Sequence, residues 1–591
     1  MNGETKQCQN CKQEFVVAPD DFAFYEKIKV PPPTFCVMCR HQRRLAPRNE
    51  RTFYHRKCGL CKKELIAIYP EDAPFPVYCY ECFWSDKWNP LEYGRAYDFS
   101  KSFFAQFKTL QDAVPRLALL ATNSVNSPYV NHAPDSKNCY LIFNSIRNEN
   151  CSYGNIYFES KDCLDGWSTH RSELCYQVVN CKNCYKLFFS EECEKCTDSS
   201  FLYNCTGCSN CFLCSNLKNK SYCIENVQYS QEEYKKRLAE YLDGSYGKLE
   251  RAINRYRDLK QNRIVHKYRI DRKATESTGN YLYNSHHCKF CFTSEEQEYC
   301  SYVYDSSRNK DCVDHSFIED DELCYEGMSL YRDYGSKFSY MSWYDRNPTY
   351  CALVFNSDDC FGCISLNKTS YCILNKQYTK EEYEKVIPQI IAQMNEMPYT
   401  DSKGRTYRYG EFFPVEISPF AYNETVAQEQ FPLTNEQALA EGYRWKKPES
   451  RNYQISVAGA KLPDFIKDVG DSILNDIIGC AHEGTCMEQC TTAFRIIPQE
   501  LEFYRKMNLP LPRLCPNCRH YKRIKQRNPL KLWQRKCTCA GEKSDNGVYI
   551  NTATHPAHPA TQHCPNEFET SYAPDRSEIV YCKQCYQAEV V

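Results

Sequence analysis

Forty cysteines in 591 residues constrain this chain more than any other feature. They fall into blocks of 8, 13, 9 and 10. The end blocks are close pairs: Cys8/Cys11, Cys36/Cys39, Cys58/Cys61 and Cys79/Cys82, then Cys486/Cys490, Cys515/Cys518, Cys537/Cys539 and Cys582/Cys585. The inner blocks step mostly by nine or twelve residues, and Cys139, Cys151, Cys163 and Cys175 keep a constant step of twelve. Such cysteine density belongs usually to short secreted chains held by disulfides. This chain is long, its opening MNGETKQCQNC has no signal-peptide character, and no apolar run approaches the ~18 residues of a membrane span. A cytoplasmic protein with reduced thiols and no membrane partner is expected.

Both cysteine patterns are duplicated. Adding 149 to Cys139, Cys151, Cys163, Cys175, Cys211, Cys214 and Cys223 gives Cys288, Cys300, Cys312, Cys324, Cys360, Cys363 and Cys372. SYCIENVQYSQEEY, ending at Tyr234, matches SYCILNKQYTKEEY, ending at Tyr383. The ends correspond at an offset of 479, where FAFYEKIKVPPPTFCVMCRHQRR meets LEFYRKMNLPLPRLCPNCRHYKR. The chain reads as A–B–B′–A′, one duplication inside the other.

Two cysteines separated by two residues place both thiolates on one side of a tight turn. A second such knuckle completes the tetrahedral four-sulfur site that structural zinc prefers. Cys8, Cys11, Cys36 and Cys39 make one set, and Cys58, Cys61, Cys79 and Cys82 a second. Cys486, Cys490, Cys515 and Cys518 make a third, and Cys537, Cys539, Cys582 and Cys585 a fourth, so about four zinc ions are expected. The C-terminal copy departs from strict spacing at Cys486/Cys490 and Cys537/Cys539. It also carries an insertion with His555, His558, His563 and Cys564, and leaves Cys480 and Cys564 unassigned. The histidines are either solvated or the basis of a fifth metal site.

The residues of the N-terminal module, Cys8, Cys11, Glu14, Phe15, Phe24, Tyr25, Cys36, Cys39 and Arg40, resemble the probable zinc-ribbon domain family of bacterial proteins of unknown function. The C-terminal copy keeps Cys490, Phe494, Phe503, Tyr504, Cys515, Cys518 and Arg519, with Ala493 at the Glu position. The whole chain resembles uncharacterised large multi-zinc-ribbon proteins of uncultivated bacterial lineages. The resemblance implies zinc and a fold, and no activity.

Each end module contains a basic connector. Arg40–Lys57 has seven Lys/Arg against one acid, and Arg519–Lys536 has eight and none, in a chain whose 74 basic and 75 acidic residues balance. Cations neutralise phosphates and aromatic faces stack unpaired bases. Arg40, Arg43, Arg44, Arg48, Arg519, Lys522, Arg523 and Arg527 are therefore expected on phosphates, with Tyr54 and Trp533 stacking. RNA, ribosomal RNA included, is favoured over DNA; a solvated basic face is the alternative.

The twelve-residue step, in a segment rich in Asn, Ser and Tyr, predicts a coiled β-solenoid whose equivalent residues stack at ~4.8 Å. About eight coils, roughly 40 Å long, are expected in each inner module. Asn138, Asn150, Asp162, Asn183, Asn204 and Asn210 precede cysteines and suggest an amide ladder. The rival for Cys205, Cys208, Cys211 and Cys214 is an iron–sulfur cluster, but the duplicate has Val354 and Ser357 in place of the first two.

The fold class is thus multidomain and mainly β: paired zinc-ribbon modules at both ends flanking two tandem Cys-rich β-solenoid repeats, with helical connectors. The boundaries are a double zinc-ribbon module at 1–95, a linker at 96–137 and a first solenoid at 138–228. A helical connector at 229–286 leads to the second solenoid at 287–377. A helix and Pro/aromatic-rich strap at 378–476 precede the C-terminal module at 477–591.

No phosphate-binding Gly loop, dinucleotide fingerprint or nucleophile elbow is found. The balanced charge, 21 Gly and 14% aromatic residues exclude collagen-like and wholly disordered chains. The leading expectation is a non-enzymatic zinc-dependent nucleic-acid-binding protein with a solenoid spacer. The alternatives are a metal-dependent hydrolase or nuclease using the His-rich insertion, and a scaffold binding proteins on the solenoid faces.

Overall fold

A chain that repeats every twelve residues can pair each segment in parallel with the next, and the computed structural model, which describes residues 3–447, 453–539 and 564–590, does so throughout the inner blocks. The chain divides into two units, each built from two distant segments. The first joins Met1–Leu119 with Arg269–Pro448, and the second joins Leu120–Tyr268 with Glu449–Val591. The N-terminal module therefore belongs with the second inner copy, and the C-terminal module with the first.

In the first unit a parallel sheet runs from Asp271–Arg272 to Ala352–Phe355, followed by Asp358–Phe361 paired with Ser370–Ile373. Its register is set by the repeat: Phe292 faces Tyr304, Met328 faces Tyr340 and Tyr340 faces Ala352, each twelve residues on. In the second unit Tyr140 faces Ser152, Asn155 faces Trp167 and Cys211 faces Cys223, at the same offset. Pairing begins before the first cysteine of that block, with Val125 opposite Lys137, inside the stretch read as linker. No cysteine marks the period there.

Nearly every third residue of these ladders has a positive φ, as at Asn138, Leu141, Asn144, Arg147 and Asn150, so the chain bends at three-residue intervals. Asn and Asp tolerate this left-handed conformation best among residues with a side chain. They also link the rungs. Asn126 Nδ2 donates to Asn138 Oδ1 at 3.2 Å, Asn138 to Asn150 at 3.2 Å, and Asn150 to Asp162 at 2.9 Å.

The cysteine columns lie in the core. Cys139, Cys151, Cys163 and Cys175 are all buried, and the thiol of Cys163 reaches the carbonyls of Lys161 at 3.2 Å and Ser172 at 3.4 Å. Serine does the same in that column: Ser127 Oγ donates to the Val125 carbonyl at 2.9 Å. The slot accepts a small side chain that gives one weak hydrogen bond to the backbone, which cysteine and serine share. Cys205, Cys208, Cys211 and Cys214 follow this pattern, their sulfurs 3.3 to 3.6 Å from the carbonyls two residues earlier. They make no four-sulfur cage, contrary to the cluster alternative.

The second copy puts acids into a neighbouring column. Asp321, Asp333 and Asp345 are buried one rung apart, where the first copy has Ser172, Cys184 and Cys196. Asp333 N donates to Asp321 Oδ1 at 2.6 Å, Asp345 N to Asp333 Oδ1 at 3.0 Å, and Ser357 N to Asp345 Oδ1 at 2.6 Å.

Each ladder leads into a helix, Gln231–Tyr241 or Lys380–Glu396. Their N-caps Ser230 and Thr379 accept from the N–H groups of Glu233 and Glu382. No helix among the described residues is long and apolar enough to cross a membrane.

Candidate metal centres and the buried arginine helices

The first knuckle sits at the end of an antiparallel hairpin, Glu4–Gln7 with Glu14–Val17. Lys12 turns it with a φ of 62°, which returns Cys8 and Cys11 to the same side. Cys36 caps the helix Val37–Leu45, and Cys39 follows in its first turn. The helix N-terminus favours thiolate charge, and Cys36 N donates to Cys8 Sγ at 3.2 Å. Cys58, Cys61, Cys79 and Cys82 repeat the arrangement, with Cys79 N donating to Cys58 Sγ at 3.4 Å. Burial pushes the Cys58 thiol up, but the amides of Cys79, Cys61 and Leu60 outweigh it and bring it down to about 6.

Within each of four all-cysteine sets the sulfurs lie within 4.8 Å of one another. A tetrahedron with metal–sulfur arms of ~2.3 Å has edges of ~3.8 Å. Cys11–Cys36 spans 3.7 Å, Cys61–Cys79 3.9 Å, Cys490–Cys515 3.9 Å and Cys564–Cys582 3.8 Å. The four sets thus fit a tetrahedral ion with no position left for a substrate.

The C-terminal ligand assignments need correction. The third set is Cys480, Cys490, Cys515 and Cys518, and the fourth is Cys537, Cys564, Cys582 and Cys585. Cys480 and Cys564, left unassigned by spacing, enter these sets; Cys486 and Cys539 are outside the mutually close all-cysteine groups of four, with the Cys539 thiol still beside Cys537 and Cys585. The backbone explains why. Cys515 N donates to Cys480 Sγ at 3.3 Å, as Cys36 N does to Cys8. Cys537 N donates to the Asn566 carbonyl, two residues after Cys564, as Cys58 N does to that of Lys63, two after Cys61. In both C-terminal sets the cysteines in the knuckle positions, Cys480 with Cys490 and Cys537 with Cys564, are separated by stretches that the N-terminal module lacks, so nearest spacing in the chain does not find them. His555, His558 and His563 lie in the second insertion, outside the described residues.

The expected phosphate contacts are corrected more sharply. Arg40, Arg43, Arg44, Arg48, Arg519, Arg523 and Arg527 are each at most 8% exposed. In the first unit Arg40 Nη2 lies 2.9 Å from Asp314 Oδ2, and Arg43 lies 2.9 Å from both Glu326 and Glu411. Arg44 lies 3.7 Å from Asp314, and Arg48 pairs with Glu50 at 2.6 Å with its guanidinium over the Phe317 ring. In the second unit Arg519 lies 2.8 Å from Asp165 and 3.1 Å from Glu500, Arg523 lies 2.7 Å from Asp165, and Arg527 covers the Trp167 ring. These side chains hold each end module to the ladder of its own unit and offer no charge to a phosphate. Of the remaining expected contacts, Lys522 is exposed. Trp533 and Tyr54 are half-buried, and Tyr54 donates to Glu424.

The two interfaces use corresponding residues. Asp165 and Asp314 are related by the 149-residue offset, and Arg519 and Arg40 by the 479-residue offset. Tyr302 donates to Asp21 at 3.0 Å, and its counterpart Tyr153 donates to Glu500, the counterpart of Asp21, at 2.8 Å. Burial raises the Asp314 carboxyl, opposed by Arg40 and Arg44. Sequence reading missed these acids because they stand 274 and 354 residues from their arginines. The available signal was an acid column on the repeat, Asp314 and Glu326, one step of twelve apart.

Compared with protein-family models, the chain matches none, and no curated protein matches it.

Proposed function

We propose that this chain is a non-catalytic, zinc-held scaffold that binds a protein partner. Its twelve-residue ladders would be wound as solenoids, and its end modules would be zinc ribbons. The observation that carries the reading is the closure of the four all-cysteine sets: four thiolates per ion satisfy zinc and leave it no reactive position. The arginine helices support it, since their cations are used in holding module to ladder. Tyr299, Tyr334 and Tyr344 on one ladder and Tyr185 on the other expose large amphipathic rings, the residue type enriched at protein interfaces. None of the forty cysteines is joined in a disulfide, which suits a reducing compartment such as the cytoplasm.

The nucleic-acid reading loses seven of its expected arginines to burial and keeps exposed Lys522. The hydrolase reading rests on histidines outside the described residues. The experiment is to purify the full chain under reducing conditions, count zinc per chain, and measure bound nucleic acid by the 260/280 nm ratio and extraction. At least four zinc ions, no nucleic acid, and loss of folded structure on chelation are expected. Fewer than four ions, or stoichiometric RNA, overturns the proposal.

A further inference from the structure

The first insertion does more than separate a knuckle. Nine residues lie between Cys480 and Cys490 against two between Cys8 and Cys11, and the additional stretch carries His482, Cys486 and Glu488. The N-terminal knuckle has no room for equivalents. In the C-terminal knuckle these three side chains meet Cys518, and one ligand atom from each lies within 4.8 Å of all the others. Cys518 is also a member of the four-cysteine set.

We propose that His482, Cys486, Glu488 and Cys518 bind a second divalent ion of the zinc class, with the Cys518 thiolate bridging it to the ion of the four-cysteine site. The proposal rests on the reading that Cys480, Cys490, Cys515 and Cys518 hold metal. Two distances carry it. Cys486 Sγ lies 3.6 Å from Cys518 Sγ, near the ~3.8 Å edge of a tetrahedron with sulfur ligands. His482 Nδ1 lies 3.3 Å from Glu488 Oε2, the edge expected for nitrogen and oxygen ligands at ~2.0–2.1 Å from a shared ion.

The donor atoms are also prepared. His482 Nδ1 and Glu488 Oε2 are both buried and face each other at 3.3 Å, with no other hydrogen-bond partner. The other carboxylate oxygen, Oε1, accepts from Lys525 Nζ at 2.5 Å, which fixes the carboxylate with Oε2 turned to the site. The loop that brings the ligands round passes through left-handed conformations at Glu483 and Gly484, with φ of 49° and 77°. A nitrogen, an oxygen and two sulfurs form a borderline set, suited to zinc or cobalt(II) and poorly suited to magnesium or calcium.

The test is zinc per chain in the full-length protein, loaded with zinc alone and dialysed. His482→Ala/Glu488→Gln and Cys486→Ser should each lose one ion relative to the unaltered chain while keeping the same circular dichroism. Cys490→Ser should lose the four-cysteine ion. If His482→Ala/Glu488→Gln and Cys486→Ser retain the full zinc content while Cys490→Ser loses an ion, the second site is refuted and the first stands. If Cys490→Ser loses nothing, the reading of the four-cysteine site fails and the bridged pair falls with it. Cobalt(II) gives an independent measurement: a thiolate-bridged pair couples its spins, so the Cys486→Ser variant should gain paramagnetic signal per cobalt. An unchanged signal counts against the bridge.

Discussion

Arg40 and Asp314 form a fully buried ion pair at 2.9 Å, and Arg519 and Asp165 form its duplicate at 2.8 Å. Removing one member of such a pair leaves an uncompensated charge in the core, which costs about 3–5 kcal/mol. Asp314→Ala should therefore destabilise the first unit by that amount and leave the second nearly unchanged, with Asp165→Ala showing the converse. Urea unfolding followed by hydrogen exchange separates the two units. Equal effects on both would contradict the assignment of each module to its own ladder.

The same burial changes what charge reversal means. Arg40→Glu and Arg523→Glu should unfold their units and release metal. A surface phosphate contact would instead leave the fold intact. Soluble, metal-replete variants of this kind would show that these arginines face solvent.

The aspartate column gives a pH dependence. Burial raises Asp321 and Asp333 well above the usual carboxylate range and takes Asp345 up to about 8. A carboxyl whose folded pKa lies above its unfolded value favours the fold at low pH, and that stability is lost as pH rises through the folded pKa. For Asp345 the window runs from an ordinary value of 3.8 to about 8. Asp345→Asn keeps an amide oxygen for Ser357 N and removes the titration. It should flatten the pH dependence of the first unit and stabilise it at pH 8 by at least ~1 kcal/mol, as denaturant midpoints at pH 5 and pH 8 would reveal. An unaltered slope would place the titration elsewhere.

Much of this architecture was legible in the chain. Cys139 to Cys175 announced the twelve-residue register, and the 149- and 479-residue offsets relate Asp165 to Asp314 and Arg40 to Arg519. Local spacing also picked out the eight cysteines that gather into the first two candidate metal sets. It failed where the partner was distant. Cys564 completes a knuckle with Cys537 across a long insertion, and Arg40 neutralises a carboxylate from another part of the chain. A cluster of cations looks the same in sequence whether its counterions are phosphates or buried aspartates.

The corrected fourth set is directly testable. Cys564→Ser should lose one zinc per chain, by elemental analysis of the purified protein. An unchanged zinc content would restore the assignment by nearest spacing.

The cysteine columns make a prediction of their own. Ser127 occupies the column of Cys163 and makes the same carbonyl contact, so Cys163→Ser should cost less than about 1.5 kcal/mol. Cys163→Leu adds bulk to a closed slot and should cost more, about 1–3 kcal/mol. Thermal unfolding of the two variants would rank them, and the opposite order would show that volume does not govern the column.

The pairing of each end module with the more distant inner copy bears on how the protein is made. The first unit takes in the N-terminal module but needs chain as far as Pro448, and the second takes in Leu120 onward but needs Glu449 and beyond. During synthesis the N-terminal module waits, its arginine helix exposed, for an aspartate hundreds of codons away. An early supply of metal would keep that module ordered through the interval, so starvation for the ion during translation should harm the yield of folded protein more than its later removal.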